Sequence, residues 1–409
     1  MRSLFLSRFG SGALRHANFR HYFVGQAFLL IGNWIHSLAL AWLVWRLSHS
    51  PFLLGLLVFC DLGPSLVLGP LVGAVADRVD RRRLLIVTQC SQMLLAAALA
   101  MLVSSEAVTA GIVVAAALAM GTVSAFDIAG RQAIVGELVD RADLRNAIAL
   151  NAVIFNMARL VGPAMSGILI ASLGEGSCFV IKAFAALPLI AILWRMPLPV
   201  QPRQMQITGF FRDVADGLAF VAANAPARYY LSLLGLGSLT SVPYFSFLPM
   251  LANQILGGEA DMAGMLMSVT GIGALAAAIV LLVRTSLPLV GVFVAASALQ
   301  GLTLVLIGLS DLVWVTTLLA LPMGCAALSQ QFAANALLQG LVPNAMRGRI
   351  MALYTMMLIG VVPVGGLIAG FTIELFGLPA STIAAGILCI ALTSWIGFHL
   401  YLSDYRRDP

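Results

Sequence analysis

The stretch Gly73 to Arg83, which reads G-A-V-A-D-R-V-D-R-R-R, decides the fold of this chain. Six of its last seven residues are charged, although only 10% of all 409 residues are charged. Apolar runs long enough to cross a lipid bilayer lie on both sides of the stretch. Because charged side chains are costly to bury in lipid, we expect it to be a water-exposed loop between two membrane spans.

The composition supports the same conclusion for the whole chain. Hydrophobic residues make up 61% of the sequence and the mean hydropathy is +0.99, whereas soluble domains are roughly 45–50% apolar. Lipid offers the backbone no hydrogen-bond partners, so each apolar run must form a helix. None of the runs shows the sustained alternation of a membrane barrel. The sequence therefore predicts an all-α integral membrane protein.

Charges, prolines and short polar clusters divide the chain into twelve predicted spans, six in each half. The spans are 21–45, 52–76, 84–104, 108–130, 147–172 and 177–196, then 228–250, 262–283, 286–308, 312–334, 350–375 and 380–402. Residues 1–196 and 228–409 are thus predicted to be six-helix bundles. Residues 197–227 are predicted to be a cytoplasmic linker with an amphipathic helix on the membrane surface.

An internal repeat supports this division. A shift of the chain by about 203 residues aligns Gln132–Asn151 with Asn335–Tyr354. The match continues into the following span, where three pairs of glycines coincide: Gly162/Gly365, Gly167/Gly370 and Gly174/Gly377. Two parallel, pseudo-symmetric six-helix repeats around a central cavity are the architecture of one large class of transporters.

The distribution of arginine predicts the orientation of the chain in the membrane. The loops on one side carry nearly all of the arginines, whereas the opposite loops are short and mostly acidic, with Arg46 their only arginine. We therefore expect both termini to be cytoplasmic, in a bacterial inner membrane.

Several other functions are disfavoured by the residues present. Lys182 is the only lysine, so a phosphate-binding loop of an ATP-driven pump is excluded. The five cysteines are widely spaced and predict no metal site or disulfide framework. The arginines are scattered and form no stripe for nucleic acid, and no H-E-x-x-H, C-x-x-C or G-x-S-x-G motif occurs. We expect a monomer that is not an enzyme and needs no cofactor.

The loop pattern Gly73-x-x-x-Asp77-Arg78-x-x-Arg81-Arg82 resembles the signature loop of the major facilitator superfamily. Further segments resemble its branch of enterobactin exporters and macrolide efflux proteins. These are Gly32-Asn33-Trp34, Ala125-Phe126-Asp127, Arg131-Gln132-Ala133, Ala158 to Pro163, Leu341-Val342-Pro343 and Arg347-Gly348-Arg349. The sequence departs from the superfamily loop at Asp80, where the loop usually has glycine. An aspartate at this position disfavours the tight turn that the resemblance implies.

The resemblance implies roles for two groups of residues. In the loop, Gly73, Asp77, Arg78 and Arg81 would form a conformational latch with Asp127 that holds the two halves together on the cytoplasmic side. Gly162 and Pro163 resemble the bend motif that exporters carry in the fifth span. Plain close packing of Gly162 and Pro163 is the alternative interpretation.

Ionisable residues inside spans are candidates for function. We hypothesise that Asp61 carries a coupling proton and that His36 or Arg159 controls its proton affinity. A permanent ion pair between Asp61 and Arg159 is the alternative, as is a purely structural role for His36. Lys182 could attract an anionic substrate or extend towards the span end.

Uncharged polar and aromatic residues predict a substrate site for an amphipathic organic molecule. The candidates for binding are Asn33, Trp34, Tyr244, Phe247, Gln331 and Asn335. Ordinary core packing and amide contacts between helices are the alternative.

Together these features predict a secondary active transporter, specifically a proton-coupled exporter of a siderophore-like or drug-like molecule. The alternatives are an importer or lipid flippase of the same fold, or a non-transporting membrane sensor.

Overall fold

The computed structural model describes residues 12–69, 72, 75, 79–140, 142–196, 210–284, 286–344 and 346–405. These residues form helices joined by short connections, and no strand occurs among them. The prediction of an all-α protein is confirmed.

The described part of the first half contains seven helices after a 3₁₀ turn at Ala13–Arg15. They are α1 Ala17–Ser48, α2 Pro51–Val67, α3 Arg81–Ser104, α4 Ala110–Leu138, α5 Leu144–Leu173, α6 Glu175–Ala185 and α7 Leu187–Arg195. Helices α6 and α7 together form one span, Glu175–Arg195. Pro188 lies in the first turn of α7, where a missing backbone N–H is tolerated.

Among the described residues of the second half there are ten helices and two π-helical turns. The helices are α8 Phe210–Ala223, α9 Ala225–Thr240, α10 Val242–Ser246, α11 Leu248–Met250, α12 Ala260–Val283, α13 Leu289–Gly308, α14 Val313–Leu341, α15 Arg347–Thr355, α16 Val362–Phe376 and α17 Leu378–Tyr405. The π-helical turns are Leu251–Ile255 and Met356–Gly360.

Within the described ranges, ten helices are long and apolar enough to cross a membrane. An eleventh span is the pair Ala225–Ser246 and Leu248–Ile255, which is bent by 49°. Pro243 and Pro249 follow the breaks in this span, where each lacks an N–H for the helix ladder. Helix α2 has 17 residues and covers the first part of the remaining predicted span, 52–76. Over its described residues, each of the twelve predicted spans therefore falls on one helix or on consecutive helical segments.

The chain divides into two compact units. The first contains the residues up to Leu43 and from Pro64 to Ile207, and the second contains Val44–Gly63 and the residues from Thr208 onward. The end of α1 and most of α2 thus belong to the unit of the second half. The domain boundaries at 196 and 228 remain a prediction.

The glycines of the internal repeat have matching structural roles in the two units. Gly174 ends α5 with a φ of 78° and Gly377 ends α16 with a φ of 80°, a region that favours glycine. A Cβ on Gly162 would overlap the Trp34 side chain of α1, and one on Gly365 would overlap the Leu239 carbonyl of α9. The same pair of spans therefore packs closely in each half.

The linker contains the predicted amphipathic helix, α8. Its Val214 and Val221 pack against the hydrophobic core of the second unit. Asp216 forms an ion pair of 3.1 Å with Arg349 of α15, whereas Leu218 is exposed. Much of the apolar face is thus covered by protein, and contact with the membrane surface remains a prediction.

The segment before α1 is attached to the connection between α4 and α5. The Ala13 backbone N–H donates to Asn146 Oδ1 at 2.9 Å. Asp143 accepts from Arg15 Nη2 at 2.7 Å and lies 2.9 Å from His16 Nε2. Hydrogen bonds from His16 and Arg15 lower the pKa of the Asp143 carboxyl.

Candidate functional site

The candidate site in the first unit is organised around the middle of α1. Of the 18 consecutive residues that form the most apolar part of α1, 67% are buried, which is a larger share than in any other of the ten long spans. It is therefore an interior helix. Gly32 and Gly162 allow this, since a Cβ on Gly32 would lie 2.6 Å from Ala185 of α6 and one on Gly162 would overlap Trp34.

Lys182 of α6 contacts Asn33 of α1. The ammonium group donates a hydrogen bond to Asn33 Oδ1, and Lys182 is 4% exposed. The alternative in which Lys182 extends towards the span end is not the arrangement seen, because its ammonium group is bonded at the middle of α1. Asn33, predicted to bind substrate, is half-buried.

Arg159 of α5 lies against the indole of Trp34. Its guanidinium carbon is 5.9 Å from the ring centroid, a cation–π distance. Phe155, one turn earlier on α5, makes an edge contact with Trp34 at 5.8 Å between centroids and is 45% exposed. The structure thus joins a predicted substrate residue to a residue predicted to control the coupling proton.

His36 is buried beside an aromatic ring of α6. Its ring centroid lies 5.4 Å from that of Phe179, in an edge geometry. On α5, about two turns after Arg159, Ser166 Oγ donates a hydrogen bond to the Ile35 carbonyl at 2.8 Å. These contacts fix α1 between α5 and α6.

Asp61 is half-buried on α2 and belongs to the second unit. Pro64 lies three residues further along and lacks an N–H, so the Cys60 carbonyl beside Asp61 loses its helical partner. His36 and Arg159 belong to the first unit. Their interaction with Asp61 remains a prediction.

The charged groups of the proposed latch have structurally defined neighbours. Arg81 forms an ion pair with Glu137 of α4. Asp127 forms an ion pair of 2.7 Å with Arg131, one turn along α4, and accepts from Thr88 at 3.0 Å and Gln89 at 2.6 Å.

Three latch residues, Gly73, Asp77 and Arg78, lie outside the described residues. The relay that would join them to Arg81 and Asp127 therefore remains a prediction. Asp80, the departure from the family loop, accepts from the Arg83 N–H at 2.9 Å and caps the start of α3. An aspartate at this position thus begins the helix.

The predicted substrate residues of the second unit differ in exposure. Tyr244 and Phe247 are buried, at 6% and 1% exposure, and Tyr244 lines a small recess with Ser310 and Thr382. Gln331 and Asn335 of α14 are half-buried. Asn335 accepts from Gln339 at 2.6 Å, an amide contact along one helix face.

A seam between α2 and α16 was missed by the sequence analysis. A Cβ on Gly55 would overlap the Gly366 carbonyl and lie 3.1 Å from Gly370 Cα. We call Gly55, Gly366, Gly370 and Glu374 the α2–α16 seam. Gly366 and Gly370 form a G-x-x-x-G pattern, the signal that could have revealed this close packing.

Glu374 closes one end of the seam. Its Oε2 accepts from Ser50 Oγ at 3.1 Å and from the Phe52 N–H at 3.0 Å, so it caps the start of α2. Nearby in the same unit, Trp45 Nε1 donates to Asn253 Oδ1 at 3.3 Å. The connection between α1 and α2 is therefore held by side chains of the second half.

The comparison with family models decides the classification of the chain. The model of the transmembrane secretion effector family matches residues 10–407. The chain belongs to this major facilitator family. Its members are transporters and not enzymes, so this chain is a membrane transporter of small molecules, integral to the bacterial inner membrane.

Similar proteins and structures agree with this classification. This chain is 29% identical to a staphyloferrin A transporter of Staphylococcus aureus, and the match covers 91% of this chain and 94% of that protein. It is 26% identical to the enterobactin exporter EntS of Shigella boydii, over 83% and 81%. The crystal structure of the nucleoside transporter NupG has a TM-score of 0.71 at 16% identity, covering 93% of this chain and 98% of that one. This last similarity shows the fold, and the twelve-helix major facilitator fold is confirmed.

Proposed function

We propose that this transporter is a proton-coupled exporter that moves an amphipathic, siderophore-like or drug-like molecule out of the cell by alternating access. It works as a monomer in the lipid bilayer, with both termini in the cytoplasm. The arginine-rich loops support this orientation through the positive-inside rule.

The observation that carries the proposal is Asp61, a half-buried carboxylic acid in an apolar helix. An ionisable group inside a span costs roughly 2.5–3.5 kcal/mol on insertion scales and marks a functional position. Pro64, which removes one backbone hydrogen bond of α2 beside Asp61, supports a local change of backbone between states. Asp61 takes up a proton in one conformation and releases it in the other, with His36 or Arg159 controlling its proton affinity. A fixed ion pair with Arg159 is the competing role.

The similar proteins support the direction and the class of substrate. One is named as a transporter of staphyloferrin A and another as an exporter of enterobactin. We therefore assign export, and a substrate of similar size and polarity, to this chain.

Two regions would change during alternating access. The α2–α16 seam separates when the site opens to the outside, while the latch of Gly73, Asp77, Arg78, Arg81 and Asp127 closes the cytoplasmic side. Helix α5 bends at Gly162 and Pro163, because Pro163 leaves the Arg159 carbonyl without its helical partner. Bending of α5 would therefore move the residue that contacts Trp34.

Asp61→Asn tests the proposed proton carrier. In purified protein reconstituted into vesicles with an imposed pH gradient, we expect the variant to lose gradient-driven transport of fluorescent amphipathic probes and to retain their binding. Asp311→Asn is the matched control, since it makes the same change in an exposed connection and should transport normally. Full gradient-driven transport by Asp61→Asn would rule out Asp61 as the carrier.

A further inference from the structure

A cluster of rings joins the start of α9 to the end of α17 in the second unit. The Tyr229 ring stacks on His399, with 6.1 Å between the centroids and 21° between the planes. Trp395 makes edge contacts with both rings, at 6.0 Å to Tyr229 and 4.8 Å to His399. Phe398 makes an edge contact with His399 at 6.0 Å. Four rings from two helices thus form one surface.

Arg228 adds a positive charge to this surface. Its guanidinium carbon is 5.9 Å from the centroid of the Tyr229 ring, and its Nη1 donates to the Ala222 carbonyl of α8 at 2.8 Å. Arg228 is exposed. A guanidinium carries several N–H donors in one plane, so the Ala222 carbonyl uses one and others can meet a ligand beside the ring. We call Arg228, Tyr229, Trp395, Phe398 and His399 the α9–α17 face.

The α9–α17 face lies at the ends of two spans. Arg228 is in the first turn of α9, which begins at Ala225, and His399 comes just before the end of the apolar span Leu378–Leu400. Trp395 lies one turn before His399, or about 6 Å deeper in the membrane at about 1.5 Å per residue. The guanidinium and the imidazole are thus at the level of lipid headgroups, and the indole is at the level of the upper acyl chains.

The outer rings of the face are exposed. Trp395 is 54% exposed and Phe398 is 62% exposed, and their spacing places them on one side of α17. The exposed side of a span in a membrane transporter meets lipid. An amphiphile with its polar group on Arg228 would therefore lay its chain along these two rings.

The charge of the face favours one kind of lipid. None of its five residues is acidic, so the ammonium group of a zwitterionic headgroup finds no carboxylate there. Arginine binds phosphate oxygens through paired, charge-assisted N–H bonds. A basic residue near the membrane surface is worth enough free energy to favour an anionic lipid by roughly fivefold.

We propose that the α9–α17 face binds the phosphate of an anionic phospholipid. Arg228 binds the phosphate oxygens, while the Tyr229 hydroxyl and a ring N–H of His399 donate to the phosphate or the glycerol oxygens. One acyl chain runs along Trp395 and Phe398. The lipid thereby becomes a partner of the residue that bonds the end of the linker helix α8. This partner is independent of proton coupling and of export.

Photo-crosslinking tests whether such a lipid occupies this face. The probes are a phosphatidylglycerol and a phosphatidylcholine that carry the same diazirine in the upper part of one acyl chain. Each is present as a minor component of phosphatidylcholine nanodiscs that hold the full chain. Mass spectrometry measures the labelled fraction of the peptide that contains Trp395 and Phe398. We expect the phosphatidylglycerol probe to label this peptide roughly fivefold more than the phosphatidylcholine probe does.

Three variants separate lipid binding from folding. Arg228→Gln should reduce labelling by the phosphatidylglycerol probe to the level of the phosphatidylcholine probe, whose own labelling should stay unchanged. Arg228→Lys should keep part of the preference, because the charge remains without the planar set of donors. Arg284→Gln is the matched control, since it removes an exposed arginine of the same unit and should be labelled as the wild type is.

A further arm distinguishes the lipid from a free phosphate ester. Excess glycerol phosphate should not displace the phosphatidylglycerol probe any more than chloride of equal ionic strength does, because it has no acyl chain for Trp395 and Phe398. Displacement by glycerol phosphate would overturn the proposal in favour of a site for a soluble phosphate.

Two other results would overturn the proposal. One is equal labelling by the two probes in the wild type, or a preference for phosphatidylglycerol that survives Arg228→Gln. The other is a second copy of the chain on this face, which would give a dimer in native mass spectrometry and leave the α17 peptide unlabelled by either probe.

Discussion

At the scale of single residues, polar side chains of this transporter hold adjoining segments in defined positions. Asp127 accepts from Thr88, Gln89 and Arg131, and Asp143 accepts from Arg15 and His16. The first group lies inside the helical core and the second joins the start of the chain to the α4–α5 connection. Removal of Asp143 should therefore release the segment before α1 and leave the spans unchanged.

Asp143→Asn should speed amide hydrogen exchange at Ala13 by roughly two- to fivefold, the range expected for an exposed ion pair. Hydrogen exchange with mass spectrometry of the N-terminal peptide, corrected for intrinsic rates, measures this change. Asp140→Asn is the matched control, because Asp140 lies 4.0 Å from His16 and is 79% exposed. Equal acceleration in both variants would show that Asp143 does not hold the segment.

The pH dependence of this attachment follows from the lowered pKa of Asp143. A carboxyl whose folded pKa lies below its ordinary 3.8 stabilises the attachment above that value. The stabilisation is lost as the pH falls through the folded pKa. We therefore expect the Asp143 contribution to be unchanged between pH 7 and about 5 and to be lost below about 3.8. Loss of the Asp143 contribution at a pH well above 3.8 would contradict its assignment to this carboxyl.

At the scale of helices, glycines set which spans pack closely. Gly162 brings α5 onto α1, Gly365 brings α16 onto α9, and Gly55 and Gly366 bring α2 onto α16. Small residues let membrane helices approach until their backbones touch. A methyl group at one of these contacts should therefore push the two helices apart.

Gly366→Ala should weaken the α2–α16 seam by about 1–3 kcal/mol, the usual penalty for overpacking a close contact. Its Cβ would lie 2.8 Å from Val58 Cβ and 3.3 Å from the Gly55 carbonyl. The measurement is the rate at which an impermeant maleimide labels a Val58→Cys variant, with and without Gly366→Ala. We expect faster labelling in the double variant, since Val58 is 6% exposed in the packed seam.

Gly136→Ala is the matched control for this substitution. A Cβ at Gly136, within α4, would meet nothing within 4 Å. The Val58→Cys protein should therefore be labelled at its original rate when Gly136→Ala is added. The seam would not be a close contact in the membrane if Gly366→Ala also left the rate unchanged.

At the scale of the whole molecule, the span pattern and the internal repeat were predictable from the sequence. Apolar length and loop charge locate membrane helices because lipid tolerates few other structures. The roles of Gly174 and Gly377 at helix ends follow from the same repeat. The role of Asp80 as a helix cap could also have been predicted, because aspartate is favoured at the N-cap position of a helix.

Partners between distant helices could not be predicted in the same way. Glu374 is one residue near a span end, and nothing in its sequence surroundings indicates Ser50 or Phe52 as partners. Likewise, hydropathy does not show that Lys182 bonds Asn33 or that Arg159 lies against Trp34. Such contacts depend on helix rotation and on the approach that small residues permit, which need the folded structure.

The direction of proton-coupled movement is the central claim, and inverted membrane vesicles test it most directly. In these vesicles the former cytoplasmic face is outside, so an exporter carries its substrate into the lumen as protons leave. With an acidic lumen we predict accumulation of an amphipathic probe, accompanied by a rise in lumenal pH and abolished by nigericin. Accumulation of the probe that does not depend on the pH gradient would contradict proton-coupled export. Uptake only by right-side-out vesicles in acidic medium would also contradict it.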